Sequence, residues 1–91
     1  MNTHFNNSYG RDLKKITDKN FKAEIKQSVL FVKNAKKISD ILPELRKLKG
    51  YGKGIYYRIK VGSYRTGVTI VGDLVTFLRF LPRKDFYKYF P

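Results

Sequence analysis

Apolar residues change their spacing part-way along this chain. Leu13 and Ile16, then Phe21, Ile25, Val29 and Val32, recur three and four residues apart with lysines between them, which keeps one stripe of a helix on a core. Helices are predicted over about Tyr9 to Ile16 and Asp18 to Asn34, broken at Thr17 and Asp18, whose side chains can cap the second. Asn34 to Leu42 reads as a connection with a short turn at Ser39 to Leu42, which Pro43 stops from continuing as helix. From Leu45 the period becomes two. Ile55, Tyr57, Ile59 and Val61 alternate with Tyr56, Arg58 and Lys60, and Gly62-Ser63 and Gly72-Asp73 supply turns around Tyr64 to Val71 and before Leu74 to Leu81. Three strands in a meander follow from this, with a short strand admissible at Glu44 to Lys49 and another near Thr3 to Asn7. Gly50, Gly52 and Gly54 mark a flexible loop before the meander.

The predicted fold class is α+β, with two N-terminal helices packed on one face of a four-stranded, mainly antiparallel twisted sheet. At 91 residues the chain is read as a single domain spanning 1–91. A C-terminal segment, Arg83 to Pro91, follows the sheet, whose second face this reading leaves free. Strand alternation then assigns Tyr56, Arg58 and Lys60 to that free face, because Ile55, Tyr57, Ile59 and Val61 must meet the helices.

Charge adds the next constraint. Lys and Arg number 20 against 7 Asp and Glu, giving a net charge of +13, while 42% hydrophobic and 15% aromatic residues suffice for a core. A field of this size calls for an anionic partner: nucleic acid, an acidic membrane or an acidic protein. The cations are unevenly opposed. Residues 1–30 mix Arg11, Lys14, Lys15, Lys19, Lys22 and Lys26 with Asp12, Asp18 and Glu24, as a solvated helical surface does. Between Glu44 and Asp73 there is no acid, yet Arg46, Lys47, Lys49, Lys53, Arg58, Lys60 and Arg65 all fall there. With no Cys and one His, His4, metal and cofactor chemistry and thiol nucleophiles are not expected. No apolar run approaches the length of a membrane span and Met1 to Gly10 is polar, so no signal peptide, no membrane and a cytoplasmic location are expected.

Arg65 can join Arg58 and Lys60 across the Gly62-Ser63 hairpin, and Arg79, Arg83, Lys84 and Tyr87 follow at the end of the last strand. Cations interleaved with Tyr suit RNA, since Lys and Arg neutralise phosphates and Tyr rings stack on unpaired bases. On this basis Lys47, Lys49, Lys53, Tyr56, Tyr64 and Lys84 are candidate RNA contacts.

The strings Leu45-Arg46-Lys47-Leu48-Lys49-Gly50, Tyr57-Arg58-Ile59-Lys60-Val61-Gly62-Ser63-Tyr64-Arg65 and Arg79-Phe80-Leu81-Pro82-Arg83-Lys84-Asp85-Phe86-Tyr87 resemble, in order and spacing, the RelE/ParE superfamily of toxins from type II toxin–antitoxin systems. The resemblance implies a microbial-RNase-like fold and, for RelE-type members, ribosome-dependent endonucleolytic cleavage of mRNA without metal. It implies catalytic roles for Arg58, Lys60, Arg65, Arg83 and Tyr87. Pro82 stands where many relatives have a His, and the family's Glu at the base position is absent. The implied partners are an acidic antitoxin, encoded adjacently and wrapping the helices or the basic face, the ribosome and mRNA, and operator DNA only in complex with the antitoxin.

RNA cleavage needs the ribose 2′-hydroxyl deprotonated, the phosphorane dianion stabilised and the 5′-oxygen protonated. Without a nearby acid or His, Lys60 and Tyr87 are left as proton carriers. Arg58, Arg65 and Arg83 supply a bidentate phosphate clamp. Each feature also has a plainer reading. Arg58 and Lys60 fit a solvated outer sheet face, and Tyr87, among Phe86, Tyr89 and Phe90, fits an apolar plug that docks the C-terminus. Two alternative functions remain open: a ParE-type toxin that inhibits DNA gyrase without nuclease activity, and a basic RNA-binding module that does not cleave.

Overall fold

The computed structural model describes residues 1–48 and 55–91. The chain begins with strand β1 (Asn2–Phe5), helix α1 (Asn7–Leu13) and helix α2 (Lys19–Asn34). Asp18 caps α2 as its sequence position suggested, its carboxylate accepting from the backbone N–H of Asn20 at 2.8 Å and Phe21 at 3.1 Å. Two short 3-10 turns, Ile38–Asp40 and Leu42–Glu44, lead into β2 (Leu45–Lys47), β3 (Tyr56–Val61), β4 (Tyr64–Val71) and β5 (Leu74–Pro82), and the chain ends in helix α3 (Arg83–Tyr89). The glycine-rich stretch 49–54, with its expected loop, lies outside the described residues.

Sheet order is β1-β5-β4-β3-β2, antiparallel throughout except that β1 runs parallel to β5. The α+β class stands, with five strands instead of four because both short admissible strands form. Each hairpin turns on a glycine in the left-handed region, Gly62 with φ 58° and Gly72 with φ 60°, where other residues are strained. Beyond the end of β1, α1 takes its place along β5. Asn6 N–H donates to the Phe77 carbonyl at 3.0 Å, the Ser8 hydroxyl to the Leu78 carbonyl at 2.6 Å, and the Asp12 carboxylate accepts from Phe80 N–H at 2.9 Å. The edge of β5 is thereby covered rather than left open to other chains.

The main core lies between the sheet and α1 and α2, where Tyr9, Ile25, Val32, Ile59, Val68 and Phe77 are buried together. A second, smaller core lies on the opposite face. There α3 and the residues after it bury Phe86 and Phe90 against Leu48 and Leu81. This corrects the expectation that the second face is free: the C-terminal segment forms a helix and crosses it. The plug reading holds for Phe86 and Phe90, while Tyr87 and Tyr89 point outward. Covering both faces explains why Arg65, Thr66, Gly67 and Val68 are buried in succession on β4. Among the described residues no helix is long and apolar enough to cross a membrane.

Candidate nucleic-acid interface

Register decides what shares the α3 face. Ile59 and Val61 face the main core, so Tyr56, Arg58 and Lys60 face α3, as alternation predicted. Directly opposite Arg58 on β2 is Arg46, and directly opposite Lys60 on β4 is Arg65. Opposed residues of an antiparallel pair have Cβ atoms about 4.5–5.5 Å apart, where like charges repel. Among the described residues the single ion pair is Arg79 with Asp12, so Arg46 and Arg58 face each other with no carboxylate to offset them.

The position of Tyr87 depends on how α3 is seated. Phe90 lies over Gly67 on β4 so closely that a Cβ there would fall 2.5 Å from its ring. The ring also stacks on Phe86, with centroids 5.0 Å apart, and meets Tyr56 edge-on at 5.8 Å. At the other end of α3, Arg83 N–H donates to the Ser63 carbonyl at 2.9 Å, tying the helix start to the β3–β4 hairpin. Held at both ends, α3 brings the Tyr87 hydroxyl within 3.2 Å of Arg58 Nε, which donates to it. Tyr87 is 52% exposed and, with Ser63, Pro82, Arg83 and Lys84, lines an open groove of about 580 Å3. Lys60, two residues before the hairpin, is exposed on the same face.

Several of the expected site residues are placed otherwise. Arg65 shares the face by register but is 6% exposed. Its guanidinium donates to the carbonyls of Gly62 at 3.1 Å and Tyr64 at 2.8 Å, so it braces the hairpin instead of presenting itself to solvent. Tyr64 points to the main core, its ring stacked on Phe80 with centroids 4.9 Å apart and packed on Phe21, which removes it as a base-stacking surface. Lys47 pairs with Tyr57 and therefore lies on the helix side, away from Arg58. Arg79 is bound through two nitrogens to Asp12, at 2.7 Å and 3.2 Å. The hydrogen bond to Asp12 is the main reason its guanidinium is held above the ordinary arginine range. Asp12, expected on a solvated surface, is buried. Tyr56 is on the α3 face but half-buried against Phe90. Lys49 and Lys53 lie outside the described residues. The structure joins Arg58 to Tyr87 and sets Arg83 and Lys84 beside Tyr87 in the groove, with Lys60 exposed on the same sheet face and Arg46 opposite Arg58.

Arg46 was hard to assign by pattern because Leu45 and Leu48, an odd number of residues apart, fall on opposite faces, one in each core. Gly67 carried no local signal either, since its role depends on a ring 23 residues later.

Over all 91 residues the chain is 36% identical to Toxin RelE3 of Methanocaldococcus jannaschii, covering 100% of both chains. It belongs to the RelE toxin family. The toxin is thus one half of a toxin–antitoxin system, with an antitoxin as partner. Its fold matches that of the RelB-RelE antitoxin–toxin complex from Methanococcus jannaschii with a TM-score of 0.72 and 33% identity, covering 97% of this chain and 99% of that one. The RelE-RelB complex from Pyrococcus horikoshii has the same fold, with a TM-score of 0.69 at 17% identity over 90% of this chain and 93% of that one. No protein-family model matches the toxin.

Proposed function

We propose that the toxin is a ribosome-dependent mRNA endonuclease that cleaves through the ribose 2′-hydroxyl on the α3 face of its sheet. The observation that carries this reading is the hydrogen bond from Arg58 Nε to the Tyr87 hydroxyl, at the rim of a groove whose cations have no carboxylate partner among the described residues. In the reaction the 2′-oxygen attacks phosphorus, the bond from phosphorus to the 5′-oxygen breaks, and a 2′,3′-cyclic phosphate and a 5′-hydroxyl result. Because the Tyr87 oxygen accepts from Arg58, its own hydrogen is free for the departing 5′-oxygen, and Arg58 faces the charge left behind. Lys60, exposed on this face, takes the 2′-proton as its neutral amine, while Arg58, Arg83 and Arg46 stabilise the dianionic phosphorane. Arg65 acts on the same site through the hairpin it braces. Lys84 extends the cationic groove toward the mRNA backbone.

Substrate alignment falls to the ribosome, since the groove lined by Arg83, Lys84 and Tyr87 is open to solvent. Purified toxin added to a translating extract is expected to cut mRNA within translated codons and to leave gyrase supercoiling untouched. Inhibited supercoiling with intact mRNA would instead assign the toxin to gyrase, and intact mRNA on programmed ribosomes with retained RNA binding would leave a binder.

A further inference from the structure

The cations of the α3 face form two sets that meet at Tyr87. Arg46 and Arg58 stand directly opposite each other on β2 and β3, and Arg58 Nε donates to the Tyr87 hydroxyl at 3.2 Å. Tyr87 also lines the groove of about 580 Å3 with Ser63, Arg83 and Lys84. Arg46, Arg83 and Lys84 are exposed, and none of these four cations is in an ion pair among the described residues. Like charges directly opposite destabilise a strand pair, and two such sets side by side draw in an anion that neutralises both. The free toxin carries this unanswered field even away from the ribosome.

RNA spreads its charge along a flexible strand, one phosphate per nucleotide, and that strand must be ordered before it meets both sets. A triphosphate gathers several charges into one small ion, whose oxygens accept from more than one guanidinium at once. Recognition falls on the phosphates. Tyr56 packs edge-on against Phe90 and Tyr64 stacks on Phe80, which leaves Tyr87 as the aromatic ring lining the groove. We propose that the α3 face binds the triphosphate chain of free nucleoside triphosphates, and that this occupancy excludes mRNA until a programmed ribosome presents it. This regulation rests on the reading of the α3 face as the RNA site. Its consequence is that cleavage rises as the supply of nucleoside triphosphates falls, because a competing ion is withdrawn from the site.

Binding is measured by calorimetry on the toxin alone with ATP, tripolyphosphate and inorganic phosphate. Competition is measured on mRNA-programmed ribosomes, with each ion kept below the magnesium concentration so that the ribosomes stay intact. Arg46→Ala with Lys84→Ala removes one cation from each set, whereas Lys22→Ala with Lys26→Ala, both exposed on α2, removes the same charge on the helix side of the sheet. ATP and tripolyphosphate are expected to bind at one site per chain, at least about tenfold tighter than inorganic phosphate. The Arg46 and Lys84 variant should lose at least about tenfold in affinity for both, and the α2 variant should keep wild-type affinity and cleavage. With wild-type toxin, both ions should raise the KM for programmed mRNA and leave kcat unchanged. Absence of binding overturns the proposal, as does equal loss in the two double variants, since net charge alone would then hold the ion. ATP bound without tripolyphosphate would assign recognition to the base, and tight binding with an unchanged KM would put the ion away from the mRNA; either result also overturns it. If the wild type cleaves nothing, the nuclease reading fails alone, and the affinities still decide the triphosphate site.

Discussion

Replacing Gly67 with Ala tests whether the seating of α3 sets the site. The new methyl would lie 2.5–2.7 Å from three atoms of the Phe90 ring, inside the closest approach that side chains make, so the ring must move. Forcing a methyl into a packed site costs about 1–3 kcal/mol, against about 0.4–1 kcal/mol returned by the reduced backbone freedom of Ala in the unfolded chain. The net loss is about 1–2 kcal/mol, or very roughly 4–15 °C in midpoint for a domain of this size. The strain falls on one side. Val68 and the main core are untouched, whereas Phe90 carries Phe86 and Tyr56 with it. A helix of seven residues has little stability of its own, so α3 shifts as a unit. The Arg58 to Tyr87 hydrogen bond at 3.2 Å is the contact that shift breaks. Misplacement by about 1 Å lowers rates by about 10²-fold. Cleavage should therefore fall far more than stability, and amide exchange should quicken in α3 but not in β4 or β5. Gly67→Ala combined with Phe90→Leu, which makes room for the methyl, should recover part of the rate. Wild-type cleavage and unchanged α3 protection in Gly67→Ala would refute this account of α3.

Other variants separate site from scaffold. Arg58→Ala should reduce cleavage at least about 10²-fold with a stability change of less than about 0.5 kcal/mol, whereas Arg65→Ala should lose about 1–3 kcal/mol of stability along with activity, because it leaves two hairpin carbonyls without their donor. Parallel denaturant titrations and cleavage rates check both. Asp12→Ala removes the acceptor for Arg79 and for Phe80 N–H at the covered edge of β5, and should cost about 2–4 kcal/mol in urea unfolding. Tyr9 is buried, and its hydroxyl has no hydrogen-bond partner among the described residues; burial pushes its pKa up to about 12 from 10.0. A folded-state value above the unfolded one means that its contribution is complete below pH 10.0 and is lost as pH rises to about 12. Tyr9→Phe should be as stable as wild type or more so at pH 7, and should lose less stability across that interval in pH-dependent unfolding.

The helices, the meander and the shared face of Arg58 and Lys60 are legible because each rests on a local period or on the turn chemistry of Gly62 and Gly72, whereas Tyr87 reaches that face only through the seating of α3. Lys47, Tyr64 and Arg65 stand elsewhere than their place in the sequence suggests, the first two through register and Arg65 through burial on the expected face. Each is a polar or aromatic residue near the basic strand, but strand register decides its face and the packing of α3 decides its depth. Lys47 follows Tyr57 to the helix side, and Tyr64 finds Phe80. Arg65 is enclosed once α3 crosses the sheet. The packing of α3 was hidden because Phe90 and Gly67 meet only in three dimensions. Asp12 looked like a surface acid for the same reason, its partner Arg79 lying 67 residues on.

The central claim is that the cationic α3 face cleaves RNA by using the RNA's own 2′-hydroxyl. The direct measurement is cleavage of a ribosome-programmed mRNA carrying a single 2′-deoxy nucleotide 5′ to the mapped cut, beside the all-ribo message, with the end groups identified by mass spectrometry. The account predicts a 2′,3′-cyclic phosphate on the all-ribo product and no cut at the deoxy position. Equal cutting of both messages would contradict it.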